Sequence, residues 1–243
     1  MRLKPAFVTK PLYRAWKDLL QVFYPRVCLT CEALLHDSEE ILCHNCLSEL
    51  AFTEFDFSKN NPVYAQLASV IKIEYATSMF VFHESGVIQK LIHQLKYKGH
   101  QEAGELIAGF ICNKHRSNPR FSTVDYIVPV PLHKKKLKKR GYNQLTVLGQ
   151  NLEKCLDIEY HENILIRKVH TGSQTKKTVE ERRKNVARVF DILEPEKYRG
   201  KHFLIIDDVM TTGATTEACA ETVLSKIPQA QVSILTIAVV YHT

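Results

Sequence analysis

Two groups of residues in this sequence combine residue types and spacing that could do chemistry. One is the run LIIDDVMTTGATTEACA at positions 204–220, where apolar residues lead into adjacent carboxylates and then into threonines around a single glycine. The other is a double Cys-x-x-Cys pattern formed by Cys28, Cys31, Cys43 and Cys46. The first run has the groups that bind a phosphorylated sugar, and the second has the ligands of a tetrahedral metal ion.

The run at 204–220 has hydrogen-bond acceptors followed by hydrogen-bond donors, which is the order that binding of a ribose 5-phosphate requires. Asp207 and Asp208 can accept hydrogen bonds from ribose hydroxyls, and the residues that follow can surround a phosphate with backbone N–H groups at a helix N-terminus. Gly213 permits close approach of a ligand and an unusual φ. Asp and Thr are also ordinary helix caps, but one cap needs one such residue and this run has six. We therefore predict a phosphate-binding loop here.

The elements around this run predict an α/β fold. Apolar strand-like segments alternate with segments of helical periodicity, which is typical of a parallel sheet covered by helices on both faces. The predicted strands are 76–82, 125–131, 164–169, 203–206 and 232–240. The predicted helices are 87–97, 103–113, 145–156, 178–188 and 215–226. The acidic pair and the threonine loop thus follow a strand at the carboxyl edge of the sheet, where open α/β sheets bind ligands.

The two Cys-x-x-Cys pairs predict a small zinc module ahead of this sheet. A redox Cys-x-x-Cys is the alternative, but such a pair usually stands alone at the start of a helix after a strand. Four cysteines leave no open coordination position, so the predicted zinc ion is structural. We predict an N-terminal zinc-ribbon module at 1–60 and a larger domain at 61–243, with residues 56–63 as a polar linker.

Composition bounds the class of protein. The chain has 243 residues and 45% hydrophobic residues, which suits one ordinary domain with a smaller module. No apolar run is long enough for a membrane span and no signal-like segment is present, so we expect a cytoplasmic protein. Seven cysteines, four of them in tight pairs, predict reduced ligands rather than a disulfide framework, with Cys112, Cys155 and Cys219 as core thiols.

The formal net charge of +7 is unevenly distributed along the chain. Residues 1–60 hold 7 Lys and Arg against 8 Asp and Glu, whereas residues 61–243 hold 26 against 18. The excess base lies in HKKKLKKR at 133–140 and around 182–184. This favours a polyanionic partner, either a phosphorylated small molecule or nucleic acid, although a solvated basic face has the same composition. The glycine-rich loops of ATPases and dinucleotide-binding enzymes are absent from the sequence, as are the HExxH and GxSxG motifs.

Together, these motifs resemble the ComF family, bacterial proteins associated with DNA uptake in natural competence. The resemblance rests on LIIDDVMTTGAT at 204–215, on the four cysteines, on VPVPLHKKKLKKRGYNQ at 128–144 and on SQTKKTVEERRKNVARVF at 173–190. ComF proteins pair a zinc ribbon with a domain like the type I phosphoribosyltransferases. The resemblance therefore implies a phosphoribosyltransferase-like parallel sheet flanked by helices, with a site for phosphoribosyl diphosphate (PRPP) and Mg²⁺.

The resemblance also implies roles for individual residues. Asp207 and Asp208 would be the catalytic pair that binds the ribose 2′- and 3′-hydroxyls. The residues that would bind the 5-phosphate of PRPP are Thr211, Thr212, Gly213, Ala214 and Thr215. Those that would bind its diphosphate are Val130, Pro131, Leu132 and Arg140. A segment that would close over the site contains Gln174, Arg182 and Asn185.

Two functional hypotheses follow. In the first, the protein is a Mg²⁺-dependent phosphoribosyltransferase, a pentosyl-transferring glycosyltransferase whose nitrogen acceptor the sequence does not identify. In the second, it is a non-catalytic competence protein that uses the same fold to bind single-stranded DNA along the basic face of the larger domain. The zinc module is acidic, so we expect it to act as a scaffold or protein-docking piece. Competence or recombination proteins are the partners that the resemblance implies.

Overall fold

The computed structural model of the chain describes residues 25–97, 99–168 and 189–240. Contacts within the chain form two compact units, residues 1–49 and residues 50–243. The first of these units ends at residue 49, whereas the predicted zinc-ribbon module ends at residue 60. The domain limits of 1–60 and 61–243 stay a prediction.

The described part of the first unit, residues 25–49, contains little regular structure. An isolated antiparallel bridge joins Val27 and Leu34. One short helix, α1, spans His44–Ser48. A segment of this kind has a small apolar core, so we expect its four cysteines to contribute much of its stability.

The second unit is organised around a five-stranded sheet. The strands of its described residues are β1 (Ala76–Val81), β2 (Tyr126–Pro129), β3 (Glu159–Tyr160), β4 (Leu165–Arg167), β5 (Phe190–Ile192), β6 (His202–Met210) and β7 (Gln231–Val239). The main sheet has the order β1-β7-β6-β2-β3, and each neighbouring pair is parallel. Strands β4 and β5 form a separate antiparallel pair. Strand β6 is therefore the central strand of the main sheet.

Helices of three to four turns flank this sheet, together with shorter ones. They are α2 (Pro62–Ala68), α3 (Val87–Tyr97), α4 (Gln101–His115), α5 (Lys134–Arg140), α6 (Leu145–Leu156) and α7 (Ala214–Lys226). Short 3₁₀ helices span Pro119–Thr123 and Pro195–Tyr198.

Apolar periodicity explains how these elements pack. Helix α3 buries an apolar stripe formed by Val87, Ile88, Leu91, Ile92 and Leu95. The four residues 203–206 of β6 are completely buried, as expected for a central strand covered on both faces. Each buried aliphatic or aromatic side chain contributes about 1.5–3 kcal/mol to folding. This core fixes the position of the residues that follow it in β6.

The predicted parallel sheet flanked by helices is confirmed, and two local predictions are corrected. The strand predicted at 164–169 pairs only with β5, outside the main sheet. The linker predicted at 56–63 instead buries Phe57 and leads into α2. Asn61 caps that helix and Pro62 opens it, which is an ordinary helix start that the polar composition concealed. The helix predicted at 178–188 lies outside the described residues.

The expectation of free core thiols is wrong for two of the three cysteines. Cys112 of α4 and Cys155 of α6 form a disulfide with a Cα–Cα distance of 6.1 Å. Their helices pack against each other, so two residues that are far apart in sequence become neighbours. Cys219 is a free, buried thiol as predicted. Within the described residues, no helix has the length and apolar character needed to cross a membrane.

Candidate functional site

The acidic pair, Asp207 and Asp208, lies inside β6 near its carboxyl end. Strand β6 continues beyond the pair to Met210, which is paired with Val239. The predicted strand at 203–206 is therefore too short. Successive residues of a strand point to opposite faces of the sheet, so the two carboxylates have different surroundings.

Asp208 is nearly buried and is paired with a cation. Its side chain is 12% exposed, and its Oδ2 atom lies 2.8 Å from Lys96 Nζ at the end of α3. Gln144 Nε2 donates to the same oxygen at 2.6 Å. An ammonium group and an amide donor both stabilise the negative charge of a carboxylate. Asp208 is thus held as a hydrogen-bond acceptor.

Asp207 is in a less polar environment. Burial and the negative charge of Asp208 raise the pKa of Asp207 to about 8. The Asp208 N–H, which donates to Asp207 Oδ1 at 2.8 Å, and the Lys96 charge act in the opposite direction without cancelling that rise. The Asp207 carboxyl is therefore a weaker acid than a free aspartate, although its residue is half-buried whereas Asp208 is buried.

The loop after β6 has the backbone conformation of an anion-binding turn. Gly213 is the N-cap of α7 with a φ of 78°, and no side chain caps this helix. The first N–H groups of a helix have no acceptor within the helix, so they are available to a phosphate. The flanking residues Thr211, Thr212, Ala214 and Thr215 are exposed.

Helix α2 supports this loop, a contribution that the sequence analysis missed. Gln66 Nε2 donates to the Thr211 carbonyl oxygen at 3.2 Å. A Cβ atom added at Gly213 would lie 3.0 Å from Leu67 Cδ2. Glycine is thus required at position 213 both by the positive φ and by the close packing of α2.

The segment predicted to bind diphosphate begins beside the acidic pair. The Val130 N–H donates to the Ile206 carbonyl oxygen at 2.9 Å, which extends the pairing of β2 with β6. Asn143 Nδ2 donates to the Val130 carbonyl oxygen at 3.4 Å. Pro131 and Leu132 follow and are half-buried. The loop after β2 and the acidic pair therefore lie next to each other at the same edge of the sheet.

Arg140 belongs to the cluster around Asp208. Its Nη1 atom donates to Gln144 Oε1 at 2.5 Å, and Gln144 in turn donates to Asp208. The Arg140 guanidinium also lies 4.8 Å from the centroid of the Tyr97 ring. Its hydrogen bond and charge lower the pKa of Tyr97. The guanidinium is thus connected to the acidic pair through one bridging side chain.

The residues that precede Arg140 form a basic helix. Helix α5 has the sequence KKKLKKR, and none of its residues is buried. His133 caps its start through a bond from the Lys135 N–H, and Gly141 ends it in the left-handed conformation. The helix therefore presents five exposed lysines and ends at Arg140, in the cluster around Asp208.

The four predicted metal ligands are brought together in the first unit. One sulfur each from Cys28, Cys31, Cys43 and Cys46 lies within 4.8 Å of the other three. Three of these cysteines are buried and Cys31 is exposed. The cluster could hold a metal ion such as zinc, for which four thiolates form a complete tetrahedral shell.

Glu39 braces this cluster. Its carboxylate accepts the His36 N–H at 2.7 Å and the His44 N–H at 2.6 Å. These two bonds lower the pKa of Glu39, so it stays ionised. The carboxylate thus connects the backbone ahead of the second Cys-x-x-Cys pair to His44 within that pair, although Glu39 is not one of the four ligands.

Proteins named for competence or for DNA utilization are similar in sequence to this chain over more than half of its length. Competence protein F of Haemophilus influenzae is 27% identical over 202 residues, which cover 79% of this chain and 88% of that protein. Competence protein ComFC of Bacillus subtilis is 29% identical over 65% of this chain and 62% of that protein. These similarities support the resemblance to the ComF family. DNA utilization protein YhgH of Escherichia coli is 29% identical over 56% of this chain and 61% of its own length.

Two phosphoribosyltransferases are among the solved structures that are similar to this chain. Purine phosphoribosyltransferase from Pyrococcus horikoshii is 19% identical with a TM-score of 0.37, over 55% of this chain and 74% of that structure. Adenine phosphoribosyltransferase from Saccharomyces cerevisiae is 17% identical with a TM-score of 0.34, over 61% of this chain and 73% of that structure. No family model matches the chain.

The structure gathers most of the predicted site at one edge of the main sheet. The acidic pair, the loop at 211–215, the segment at 130–132 and Arg140 all meet there. Gln174, Arg182 and Asn185 lie outside the described residues. Lys96 and Gln144 were not predicted, because each lies in or beside a helix whose sequence shows no ligand-binding pattern. Only the fold brings them to Asp208.

Proposed function

We propose that this protein binds PRPP, as its Mg²⁺ complex, at the carboxyl edge of the main sheet. The observation that carries the proposal is the junction of β6 and α7. There, two adjacent carboxylates are followed by an uncapped helix start with glycine at a positive φ. A sugar phosphate presents hydroxyl groups and a phosphate in the same order.

In this proposal each part of the junction has a separate task. The first N–H groups of α7 and the hydroxyls of Thr211, Thr212 and Thr215 bind the 5-phosphate. Asp208 accepts a hydrogen bond from one ribose hydroxyl, and Asp207 pairs with the other. Mg²⁺ enters with the diphosphate as part of the substrate and keeps several of its waters. Arg140 and the segment at 130–132 lie on the diphosphate side.

If the protein turns PRPP over, the reaction is a displacement at ribose C1′. The C1′–O bond to diphosphate breaks with its electron pair going to diphosphate, and a nitrogen acceptor forms a bond to C1′ and loses a proton. The protein would act mainly by positioning the reactants and by stabilising charge on the leaving group.

We propose further that the protein acts in DNA uptake and that its cysteine cluster binds structural Zn²⁺. The relatives named for competence and for DNA utilization support the first proposal. The sulfur arrangement supports the second. The exposed cations of α5 favour single-stranded DNA as a second ligand of the larger unit, because phosphate contacts from Lys and Arg dominate non-specific nucleic-acid affinity.

Calorimetric titration of the zinc-loaded protein with PRPP and Mg²⁺ tests the main proposal. We expect wild-type binding on the order of micromolar, and a loss of at least about 100-fold in Asp207→Asn/Asp208→Asn, because charge-assisted hydrogen bonds are lost. The matched control is Glu105→Gln/Glu221→Gln, which removes two exposed carboxylates elsewhere in the larger unit. Equal affinity in all three proteins would reject the proposed site.

The DNA hypothesis has its own test in the salt dependence of single-stranded DNA binding. Lys134→Glu/Lys138→Glu should lower affinity and reduce the slope of log K against log salt concentration, since fewer counterions are released. Lys72→Glu/Lys90→Glu makes the same change of charge at exposed lysines outside α5 and should have a smaller effect. If the two double variants behave alike, α5 is not the DNA-binding face.

A further inference from the structure

Lys96 lies at the acidic pair although it belongs to no part of the PRPP-binding motif. It is the last basic residue of α3, and its Nζ atom lies 2.8 Å from Asp208 Oδ2. The Lys96 side chain is 21% exposed, so its ammonium lies at the boundary between the protein interior and the site. An ammonium in this position is within reach of any ligand that approaches Asp208.

The surroundings of Lys96 connect the ribose side of the site to the diphosphate side. Gln144 donates to the same Asp208 oxygen as Lys96. The preceding residue, Asn143, donates to the carbonyl oxygen of Val130, where the segment predicted to bind diphosphate begins. Since β2 and β6 are adjacent strands, the Asp208 carboxylate that Lys96 contacts belongs to the same carboxyl edge of the sheet as the start of that segment.

The last turn of α3 is held in place on both sides of Lys96. Tyr142 Oη donates to the Leu95 carbonyl oxygen at 2.5 Å. The Arg140 guanidinium lies 4.8 Å from the centroid of the Tyr97 ring. The residues on both sides of Lys96 are thus attached to the turn at 140–144. A fixed backbone under a flexible four-carbon stem suits a cation that changes partners.

Binding of a ribose would release this cation. A ribose hydroxyl that donates to Asp208 supplies the hydrogen bond that Lys96 now supplies, so the carboxylate stays satisfied. In PRPP the diphosphate is attached to C1, next to the carbon that bears the 2-hydroxyl. The released ammonium would therefore be left close to the strongest negative charge of the ligand.

We propose that Lys96 binds the diphosphate of PRPP and exchanges Asp208 for it as the ribose hydroxyls engage. The inference rests on the proposed function of the same site. It makes Lys96, like Arg140, a residue that distinguishes PRPP from ribose 5-phosphate, which has the same hydroxyls and the same 5-phosphate but no diphosphate. Loss of the ammonium then weakens binding of one ligand and not of the other.

Titration of Lys96→Met with both ligands tests this inference. PRPP affinity should fall by about 10- to 100-fold, the range for a lost charge-assisted hydrogen bond, and ribose 5-phosphate affinity should stay the same or rise because Asp208 no longer has a competing cation. Lys96→Arg keeps a cation and should retain most of the discrimination. Lys90→Met, an exposed lysine on the same helix, is the control and should change neither affinity.

Lys96→Gln guards against a folding defect, because its amide can still donate to Asp208. With thermal unfolding unchanged in this variant, a selective loss of PRPP affinity supports the inference. A loss of equal size for both ligands, or no loss for either, overturns it and leaves the proposed function standing. A wild-type protein that binds neither ligand overturns the proposed function and this inference with it.

Discussion

The cysteine cluster and the edge of the main sheet both gather reactive side chains, but over very different lengths of chain. The cluster takes its four sulfurs from residues 28–46, and its brace Glu39 lies between them. The sheet edge takes its groups from residues as far apart as Gln66, Lys96, Gln144 and Gly213. A short segment can therefore be recognised by its spacing, whereas the sheet edge exists only when the whole fold has formed.

The largest expected effect is a loss of backbone protection in residues 25–49, but not in the main sheet, when the metal is removed. Chelation of the metal, or Cys43→Ser, should remove backbone protection throughout residues 25–49, because metal binding supplies about 10 kcal/mol or more to modules of this kind. The strands of the main sheet should keep theirs, since they have their own apolar core. Hydrogen exchange followed by mass spectrometry measures both regions at once.

Cys219→Ala is the control for that experiment, because it removes a buried thiol outside the cluster. It should leave zinc content and exchange in residues 25–49 unchanged. Chelation without any change of exchange in that segment would contradict the idea that its fold depends on metal.

The second largest expected effect concerns the Cys112–Cys155 disulfide of the larger unit. Cys112→Ala/Cys155→Ala should lower the free energy of unfolding by about 4 kcal/mol, as the chain-entropy model gives for residues 43 apart. Urea unfolding with and without reductant measures this. An unfolding midpoint of the wild type that does not respond to reductant would argue against a contribution from the disulfide.

A buried histidine should make the larger unit sensitive to acid. Burial, with the nearby charge of Lys114, lowers the pKa of His115 to about 4, so the folded protein binds this proton only well below the pH at which an unfolded histidine does. Stability from this source is full above about pH 6.5 and is lost as the pH falls to 4, by roughly 3 kcal/mol. Chemical unfolding between pH 7 and 4 should show this slope in the wild type.

His115→Leu should flatten that slope, because nothing at the position then titrates. The exposed His83→Gln should leave it as it is in the wild type. A slope that survives in His115→Leu would assign the acid sensitivity to other groups.

The smallest expected effect concerns the phosphate loop. Gly213→Ala should cost about 1–2 kcal/mol because of the positive φ, with more if Leu67 cannot move. Gly109→Ala, in the open middle of α4, should instead stabilise by about 0.5–1 kcal/mol. Thermal unfolding of the pair measures the difference. If both variants shift in the same direction, the loop does not need a glycine.

Local patterns predicted much of this molecule. Helices 87–97 and 145–156 have the predicted limits, because their apolar residues recur at a clear helical period. The paired cysteines meet as their spacing indicated. The acidic pair and the threonine loop also lie where a strand leads into a helix. In each case the signal is contained within one or two elements.

The remaining features depend on contacts that no local pattern contains. Lys96 looks like a solvated helix residue until α3 is placed against β6. The pairing of Cys112 with Cys155 requires α4 and α6 to pack together. Strands β4 and β5 pair although more than twenty residues separate them in the sequence. The strand predicted at 164–169 was therefore assigned to the wrong sheet. Tertiary packing decided all three.

A crystal structure of the complex with PRPP and Mg²⁺ would show where the ligand binds. We expect the 5-phosphate at the first N–H groups of α7, the ribose hydroxyls at Asp207 and Asp208, and the Lys96 ammonium on the diphosphate. A ligand bound away from the carboxyl edge of β6, or a diphosphate out of reach of Lys96 with its bond to Asp208 retained, would contradict this expectation.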